Sequence, residues 1–490
     1  MKNTCIFFTK LVYVLVAVSF LEFNPRNLHA FQAYSHNELT DKVDALFAQW
    51  DNKDSPGASV GIFKDGRIIY ARGYGSANLE YSIPNTPQTV FRIGSTSKHF
   101  TAMCIALLIE RKKLSAGDDI RLYIPELPDY GPAITIVNML HHTSGFRNYE
   151  ALMELAGRDG DTIKVPFYTD QDAIDMIVRQ KKLNFLPGER YSYSNTNYFL
   201  LAEVVGRISG MKTSEFAKKY LFEPLGMQNT HFHDDINQIV KNRASGYSPR
   251  EGGGFRINMT QLEQIGTGSI YTTIEDFFKW DQNFYRNRIG LGQQSLSDMM
   301  ETPGRLNNGE YIEYGFGLNI RDFYGLKLIS HGGSFVGFRS YYMRFPDQRF
   351  SIVILANQGP FPDSEVASDI AILYLRELFK EPLDKKQRTY HGREERSSSQ
   401  RIQLTPEQLE QYTGVYYSEE LDASYTLYIE AKNLIMRVGR YYTTPVTSVK
   451  HDEFMWSFRN IVFKRNQSGN ISGFLLHEDP IRDLEFKKVK

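Results

Sequence analysis

Three short motifs in this chain of 490 residues combine side chains that could carry out covalent hydrolysis. Ser95-Thr96-Ser97-Lys98 sets a hydroxyl and an amine three residues apart and opens a long apolar run. Tyr193-Ser194-Asn195 follows a Pro-Gly turn, and His331-Gly332-Gly333 lies between two strand-like segments. A serine hydroxyl is a weak nucleophile until a neighbouring base takes its proton. Together the motifs predict hydrolysis of acyl compounds through a covalent serine intermediate.

Other stretches match two of these patterns by chance. Ser209-Gly210-Met211-Lys212 matches the first, and Tyr285-Arg286-Asn287 matches the second. We expect the serine to open a helix, the Tyr-Ser-Asn to lie on a loop and the last motif to lie on a strand. Only the set built on Ser95, Tyr193 and His331 meets all three conditions.

Lys98 is the residue that could act as a base for Ser95. On a helix it lies one turn after Ser95 on the same face, and the next residues of that face, Ala102 and Ile105, are apolar. Desolvation there should lower the pKa of the lysine and favour its neutral, proton-accepting form. The alternative for this motif alone is a serine that caps the helix and a lysine on the surface.

The chain resembles the serine β-lactamase and penicillin-binding protein superfamily, specifically its class C β-lactamase-like, D,D-peptidase-related branch. The resemblance spans roughly residues 40–380 in consistent order. It rests on Phe91-Arg92-Ile93-Gly94 before Ser95, Ile134-Thr135-Ile136, His142-Thr143-Ser144-Gly145, Pro187-Gly188 before Tyr193, Gly266-Thr267-Gly268-Ser269-Ile270-Tyr271-Thr272-Thr273, Tyr314-Gly315-Phe316-Gly317 and His331-Gly332-Gly333-Ser334.

The resemblance implies a role for each motif residue. Ser95 would be the acylated nucleophile and Lys98 its proton partner, and Tyr193 would be the general base that activates water. Asn195 would bind a substrate amide, although it could also cap the helix that follows it. His331, Gly333 and Ser334 would bind substrate along their strand. The main-chain N–H groups of Ser95 and Ser334 would form the oxyanion hole.

His331 is where the sequence departs from the lysine form of the family. Histidine carries at most part of a positive charge at neutral pH. We therefore expect the site to hold a penicillin carboxylate less firmly than a lysine site would.

The order of helical and strand patterns predicts an α+β fold. A hairpin around Asp65-Gly66 begins the first domain, a buried helix covers residues 100–109, and strand patterns return after residue 326. One antiparallel sheet assembled from both ends, flanked by helices and with a helical insertion, follows from this order. Residues 35–380 would form this hydrolase domain, residues 381–402 an exposed linker, and residues 403–490 a small all-β sandwich or barrel. The last part resembles the lipocalin-like appendage of some family members.

Composition bounds the location and the partners. The net charge is +0, which gives no electrostatic support for a nucleic-acid partner. Residues 1–30 read as an export signal, so we expect a periplasmic or extracellular protein without a membrane span in its mature form; an uncleaved anchor is the alternative. Removal of this segment would leave Cys104 as the only cysteine and hence no internal disulfide.

No cofactor or metal is implied. His231 and His233 could suggest a metal site, but alternate histidines on a solvent-facing strand are the simpler interpretation. The prediction is an exported serine hydrolase that acts on an amide or ester, with a peptide or other small molecule as substrate. A β-lactamase, a D-alanyl-D-alanine carboxypeptidase, a D-amino-acid peptidase and an esterase would share this machinery. The alternatives from other classes are a penicillin- or peptidoglycan-binding sensor that acylates without turnover, and a ligand-binding β-domain.

Overall fold

The computed structural model describes residues 38–157, 168–382, 402–439, 442–478 and 481–490. The predicted export signal and nearly all of the predicted linker lie outside these ranges. Within the described ranges, no helix combines the length and the apolar composition that crossing a membrane requires. The predicted domain boundaries stay a prediction.

Twelve α-helices occur in the described ranges. They are α1 Glu38–Phe47, α2 Lys98–Glu110, α3 Ile136–Leu140, α4 Tyr149–Leu155, α5 Asp170–Val178, α6 Asn195–Ser209, α7 Thr213–Ala217, α8 Glu223–Leu225, α9 Ile274–Asn283, α10 Ser295–Met300, α11 Asp363–Leu375 and α12 Pro406–Glu410.

The strands of the described ranges form two sets, one before residue 357 and one after residue 413. The first set is β1 Ala58–Lys64, β2 Arg67–Tyr74, β3 Ser76–Asn78, β4 Ile83–Pro84, β5 Phe91–Arg92, β6 His231–Phe232, β7 Tyr247–Pro249, β8 Phe255–Ile257, β9 Ile270–Thr272, β10 Asn319–Phe323, β11 Leu326–Phe335, β12 Phe338–Phe345 and β13 Phe350–Ala356. The second set is β14 Gly414–Ser418, β15 Ala423–Glu430, β16 Asn433–Val438, β17 Tyr442–Pro445, β18 Thr447–Lys450, β19 Glu453–Trp456, β20 Arg459–Arg465, β21 Ile471–Glu478 and β22 Ile481–Lys488.

The main sheet joins the two ends of the first region, as the sequence predicts. Its strand order is β10-β11-β12-β13-β1-β2, and Val60 of β1 lies opposite Ile354 of β13 in an antiparallel ladder. The β1–β2 hairpin turns at Asp65 and Gly66, both at positive φ. An aspartate-glycine pair tolerates this conformation, which is why the turn is readable in the sequence.

Helices cover both faces of this sheet. Val43 and Phe47 of α1 and Ile370 of α11 share one apolar cluster with the sheet. On the other side α2 is buried along its length, so the predicted buried helix over residues 100–109 is confirmed. This α+β arrangement confirms the predicted fold class and places β11 beside the start of α2.

The C-terminal region is a nine-stranded antiparallel sheet that curls into a nearly closed barrel, in the order β17-β16-β15-β14-β22-β21-β20-β19-β18. Alternate residues of β16, Leu434, Met436 and Val438, point into its core. Trp456 is also buried there, so its ring packs in the core of the barrel. The strands β14, β17, β18 and β22 complete the sheet.

The barrel contacts the first region through a buried polar interface. The Arg147 guanidinium donates to Glu420 Oε1 at 2.7 Å and to the Arg482 carbonyl at 2.7 Å, with its side chain fully buried. The Tyr425 hydroxyl donates to the Leu155 carbonyl at 2.5 Å. Arg147 and Leu155 lie just before and at the end of α4, so this short helix is held from the barrel at both ends.

The interface predicts a large stability effect for Arg147→Ala. The substitution leaves the carboxylate of Glu420, which is 6% exposed, without its cation. Breaking a buried pair in this way costs about 3–5 kcal/mol of unfolding free energy. Urea unfolding of the full chain, followed by circular dichroism, measures the change. The control Lys181→Ala removes the exposed partner of Glu419 in the same interface and should change nothing measurable. Equal effects of the two substitutions would contradict the conclusion that the buried Arg147–Glu420 pair stabilises the interface.

Candidate active site

Ser95 lies on a single 3₁₀ turn, residues 94–97, that runs directly into α2. It therefore precedes the helix by one turn instead of capping it, and Gly94 takes a positive φ of 51° to start the turn. The amine of Lys98 donates to Ser95 Oγ at 3.1 Å. The geometry thus brings the predicted nucleophile and its proton partner into direct contact.

The Lys98 amine is buried and has a second fixed partner. It donates to the Thr267 carbonyl at 2.9 Å, within the glycine-threonine-glycine segment that the sequence singled out. Burial lowers the pKa of Lys98 to about 7, while the nearby Glu150 carboxylate acts in the opposite direction. A neutral amine that can accept the Ser95 proton is thus available near neutral pH.

Tyr193 forms one wall around this amine. The Lys98 Nζ atom lies 4.9 Å from the centroid of the tyrosine ring. Burial raises the pKa of Tyr193 well above its usual value, and the adjacent Ser95 side chain only partly offsets this. In the resting protein the tyrosine therefore keeps its proton, and the lone pair that can accept a proton belongs to Lys98. That Tyr193 acts as a base stays a prediction.

The loop that carries Tyr193 is fixed by His142. The Nδ1 atom of His142 accepts a hydrogen bond from the Ser194 backbone N–H at 3.2 Å and contacts the Asn197 amide nitrogen at 3.0 Å. The histidine ring also packs 4.3 Å from the Tyr193 ring, centroid to centroid. His142 is thus a structural residue that holds the second motif in place.

Asn195 is the first residue of α6, and Ser194 takes the cap position that the sequence offered to Asn195. The Asn195 amide nitrogen instead donates to Glu150 Oε2 at 2.6 Å. Glu150 follows Tyr149 at the start of α4 and was not among the predicted site residues. No local motif marks it, because its partners lie on other elements.

At the third motif, glycine backbone without side chains packs against the 3₁₀ turn that carries Ser95. A Cβ atom on Gly333 would lie 1.9 Å from the Ile93 carbonyl oxygen. One on Gly94 would lie 2.9 Å from the Ser334 nitrogen. Only glycine permits this approach. The backbones of Ser95 and Ser334, whose N–H groups are the expected oxyanion donors, therefore belong to segments in direct contact.

His331 is held inside the strand by two hydrogen bonds. Its Nδ1 atom lies 2.7 Å from the Gly332 carbonyl oxygen, and its Nε2 atom lies 3.1 Å from the Tyr314 hydroxyl. A carbonyl only accepts, so Nδ1 carries the proton and Nε2 accepts from Tyr314. Burial, and then the nearby Lys98, lower the pKa of His331 to about 3. The ring is neutral at physiological pH, so it lacks even the partial charge expected from the sequence.

The competing motifs do not assemble a comparable site. Ser209 ends α6, and the Lys212 side chain is 72% exposed and pairs with Asp234. His231 and His233 lie 3.2 Å apart, nitrogen to nitrogen, and His233 is buried instead of facing solvent. In the part of the chain that the structure describes, no group of three or more His, Cys, Asp or Glu side chains could hold a metal ion.

Comparison with known proteins identifies the family of this chain. The family described as Beta-lactamase matches residues 43–376. A D-aminopeptidase of Gluconobacter oxydans is 29% identical over 320 residues, which are 65% of this chain and 58% of that protein. Penicillin-binding protein 4* of Bacillus subtilis is 29% identical over 358 residues, 70% of this chain and 76% of that protein. The chain thus spans little more than half of the aminopeptidase.

The fold also has a counterpart that extends through the C-terminal barrel. The structure of the octameric penicillin-binding protein homologue from Pyrococcus abyssi superposes with a TM-score of 0.62 and 24% identity, covering 92% of this chain and 98% of that one. At this identity the likeness concerns the fold alone. It shows that the two regions occur together in another protein.

The burial of Lys98 predicts the pH dependence of acylation. The amine accepts the Ser95 proton only when it is neutral, so kcat/KM for a neutral ester should fall by about tenfold per pH unit below the lysine pKa of about 7 and level off above it. His331, with its pKa near 3, should add no further step in this range. Rates measured from roughly pH 5 to 9 test this. A rate that rises on acidification would exclude Lys98 as the base.

Proposed function

The chain belongs to the β-lactamase family, and from that premise we propose that it is a serine hydrolase that cleaves an amide or ester by acylation of Ser95. The observation that carries the proposal is the 3.1 Å contact between Ser95 Oγ and a buried lysine amine whose pKa is lowered. A hydroxyl with a neutral amine at this distance meets the geometric requirement for general-base activation.

Acylation follows from the positions of these groups. The Lys98 amine takes the Ser95 proton while Oγ attacks the substrate carbonyl carbon. The N–H groups of Ser95 and Ser334 face the developing oxyanion, which fixed donors stabilise without reorganisation. The proton then passes from Lys98, with the Tyr193 hydroxyl as relay, to the leaving nitrogen or oxygen, whose bond to the acyl carbon breaks.

Deacylation uses the same groups in reverse. A water molecule takes the place of the leaving group, gives its proton towards Tyr193 and Lys98, and attacks the acyl carbon, so that Ser95 is released. The sensor alternative requires this step to fail. Both Tyr193 and Lys98 are in place, which favours a hydrolase that turns over.

Among the substrates that this machinery could take, we favour a D-amino-acid amide or peptide over a penicillin or a D-alanyl-D-alanine peptide. Penicillins and the latter peptides carry a carboxylate beside the bond that is cleaved. His331 is neutral and both of its ring nitrogens have partners, so it offers that carboxylate neither a charge nor a spare donor. The names of the D-aminopeptidase relatives point in the same direction.

We also propose that the protein is exported. Lys2 and Lys10, the apolar stretch at residues 11–21 and a cleavage site near Ala30 support this. The absence of a second cysteine after residue 30 means that export would add no internal disulfide.

Ser95→Ala should abolish both acylation and turnover, because among the described residues Ser95 carries the only hydroxyl to which the Lys98 amine donates a hydrogen bond. Intact-protein mass spectrometry after exposure to a fluorophosphonate measures the adduct. The matched control is Ser209→Ala, at the other serine that is followed three residues later by lysine, which should label like the wild type. Activity of Ser95→Ala within tenfold of the wild type would overturn the proposed function.

Tyr193→Phe should slow deacylation more than acylation, so that a covalent adduct accumulates on Ser95. The physical reason is that water lacks the fixed position of the Ser95 hydroxyl and depends more on the tyrosine hydroxyl for proton transfer. Mass spectra recorded during turnover of an ester show the adduct. Tyr285→Phe, in the second Tyr-x-Asn match, is the control. Equal loss in both steps would instead assign Tyr193 to the first attack.

A further inference from the structure

Glu150 is a carboxylate bonded to the Asn195 amide at 2.6 Å, and it takes no part in the proposed acylation or deacylation. Its charge and that of Lys98 also shift each other's pKa, which agrees with a place at this site. Burial raises the pKa of Glu150, and the Lys98 amine, Asn195, Tyr149 and Arg92 act against this. A carboxylate in such a place costs free energy unless it has a partner.

Glu150 fixes the direction of the Asn195 amide. The amide nitrogen of Asn195 donates to Glu150 Oε2 at 2.6 Å, so this carboxyl oxygen accepts. The other terminal atom of the amide, the oxygen Oδ1, then points away from Glu150. It is buried and accepts no hydrogen bond from any residue that the structure describes. This acceptor is therefore open to a donor from outside the protein.

Asn195 therefore offers substrate an acceptor, and the carboxylate beside it has only acceptor atoms as well. The chemical group that satisfies both is a donor with positive charge. A carbonyl oxygen at the same place would face only acceptors. We propose that Glu150 and Asn195 Oδ1 bind the free ammonium group of the substrate's acyl part, so that the enzyme acts on aminoacyl amides and rejects their N-acylated forms. This inference rests on the proposed function.

The position suits an α-ammonium group. In an aminoacyl substrate the nitrogen is roughly 2.5 Å from the acyl carbon by standard bond lengths and angles. The acyl carbon must lie at Ser95 Oγ, which the Lys98 amine contacts at 3.1 Å. That amine lies 4.9 Å from the ring centroid of Tyr193, two residues before the Asn195 that is bonded to Glu150. An ammonium group at Glu150 would therefore lie on the Tyr193–Asn195 side of the reacting carbonyl.

Binding of the cation would also prepare the base. The Glu150 charge favours the protonated form of Lys98, which cannot accept the Ser95 proton. A bound ammonium group neutralises that charge and adds a positive one near Lys98, and both effects favour the neutral amine. Substrates with the free amine would thus gain in the rate of acylation as well as in binding.

The test compares D-alaninamide with N-acetyl-D-alaninamide as competitors of p-nitrophenyl butyrate, a neutral ester, so that even a slowly cleaved amide reports its binding. For the wild type we expect the free amine to half-inhibit ester turnover at a concentration at least tenfold lower than the acetylated form. Glu150→Gln should remove most of this ratio, and Glu150→Asp, which keeps the charge, should retain part of it. Glu154→Gln, on the same helix but paired with Arg459 of the barrel, should leave the ratio unchanged.

The outcomes separate the two proposals. Ester turnover together with equal inhibition by the two amides, or an unchanged ratio in Glu150→Gln, would overturn the ammonium site and leave the serine hydrolase standing. Absence of both ester turnover and fluorophosphonate labelling of Ser95 would overturn the proposed function and this inference with it. Unfolding curves of the Glu150 variants show whether they fold. If only Glu150→Gln fails to fold, the inhibition ratios of Glu150→Asp and of the wild type test the ammonium site instead.

Discussion

The burial of the Lys98 amine is the constraint on which the rest of the active site depends. An amine removed from water must either find an anion or give up its proton. Here it has two neutral acceptors, Ser95 Oγ and the Thr267 carbonyl, and aromatic rings on other sides, with the Tyr198 centroid at 5.8 Å. The negative charge of Glu150 raises the pKa of the amine. Among the described residues, however, the amine donates its hydrogen bonds to Ser95 and Thr267 and not to Glu150. The balance places the lysine pKa near neutrality, where both protonation states are accessible during a reaction cycle.

The fold supplies the second requirement, a backbone that approaches the nucleophile without side chains between. β11 can lie against the turn at Ser95 because the chain returns after the helical insertion to complete the sheet that β1 and β2 began. Contact at this distance demands glycine on both segments. Gly317 also packs too closely for a side chain, because a Cβ atom there would lie 2.6 Å from the backbone nitrogen of His99 in α2. The glycines of the motifs are therefore consequences of packing as much as of chemistry.

What could be predicted from the sequence was whatever depends on residues close together in the chain. The Ser95–Lys98 contact follows from helical spacing, the hairpin from Asp65-Gly66, and the barrel strands from alternation as in β16. The pairing of Glu150 with Asn195 joins residues 45 positions apart, and that of Arg147 with Glu420 joins residues 273 apart, with no local pattern at either end. The state of His331 was equally hidden, because it depends on the Tyr314 hydroxyl that reaches it from the loop before β10.

The barrel gains a physical role from these long-range contacts. Arg147 and Leu155 are fixed by Glu420, the Arg482 carbonyl and the Tyr425 hydroxyl, so α4 is held at both ends by residues of the C-terminal region. A seven-residue helix is not stable by itself and takes its position from such contacts. Glu150 lies in the first turn of α4. The barrel therefore shares with α6, whose Thr196 accepts from the Tyr149 N–H, in fixing where the Glu150 carboxylate lies, although it contributes none of the proposed catalytic side chains. Loss of the buried Arg147 contacts would therefore alter the choice of substrate through Glu150 while Ser95 and Lys98 stay in place.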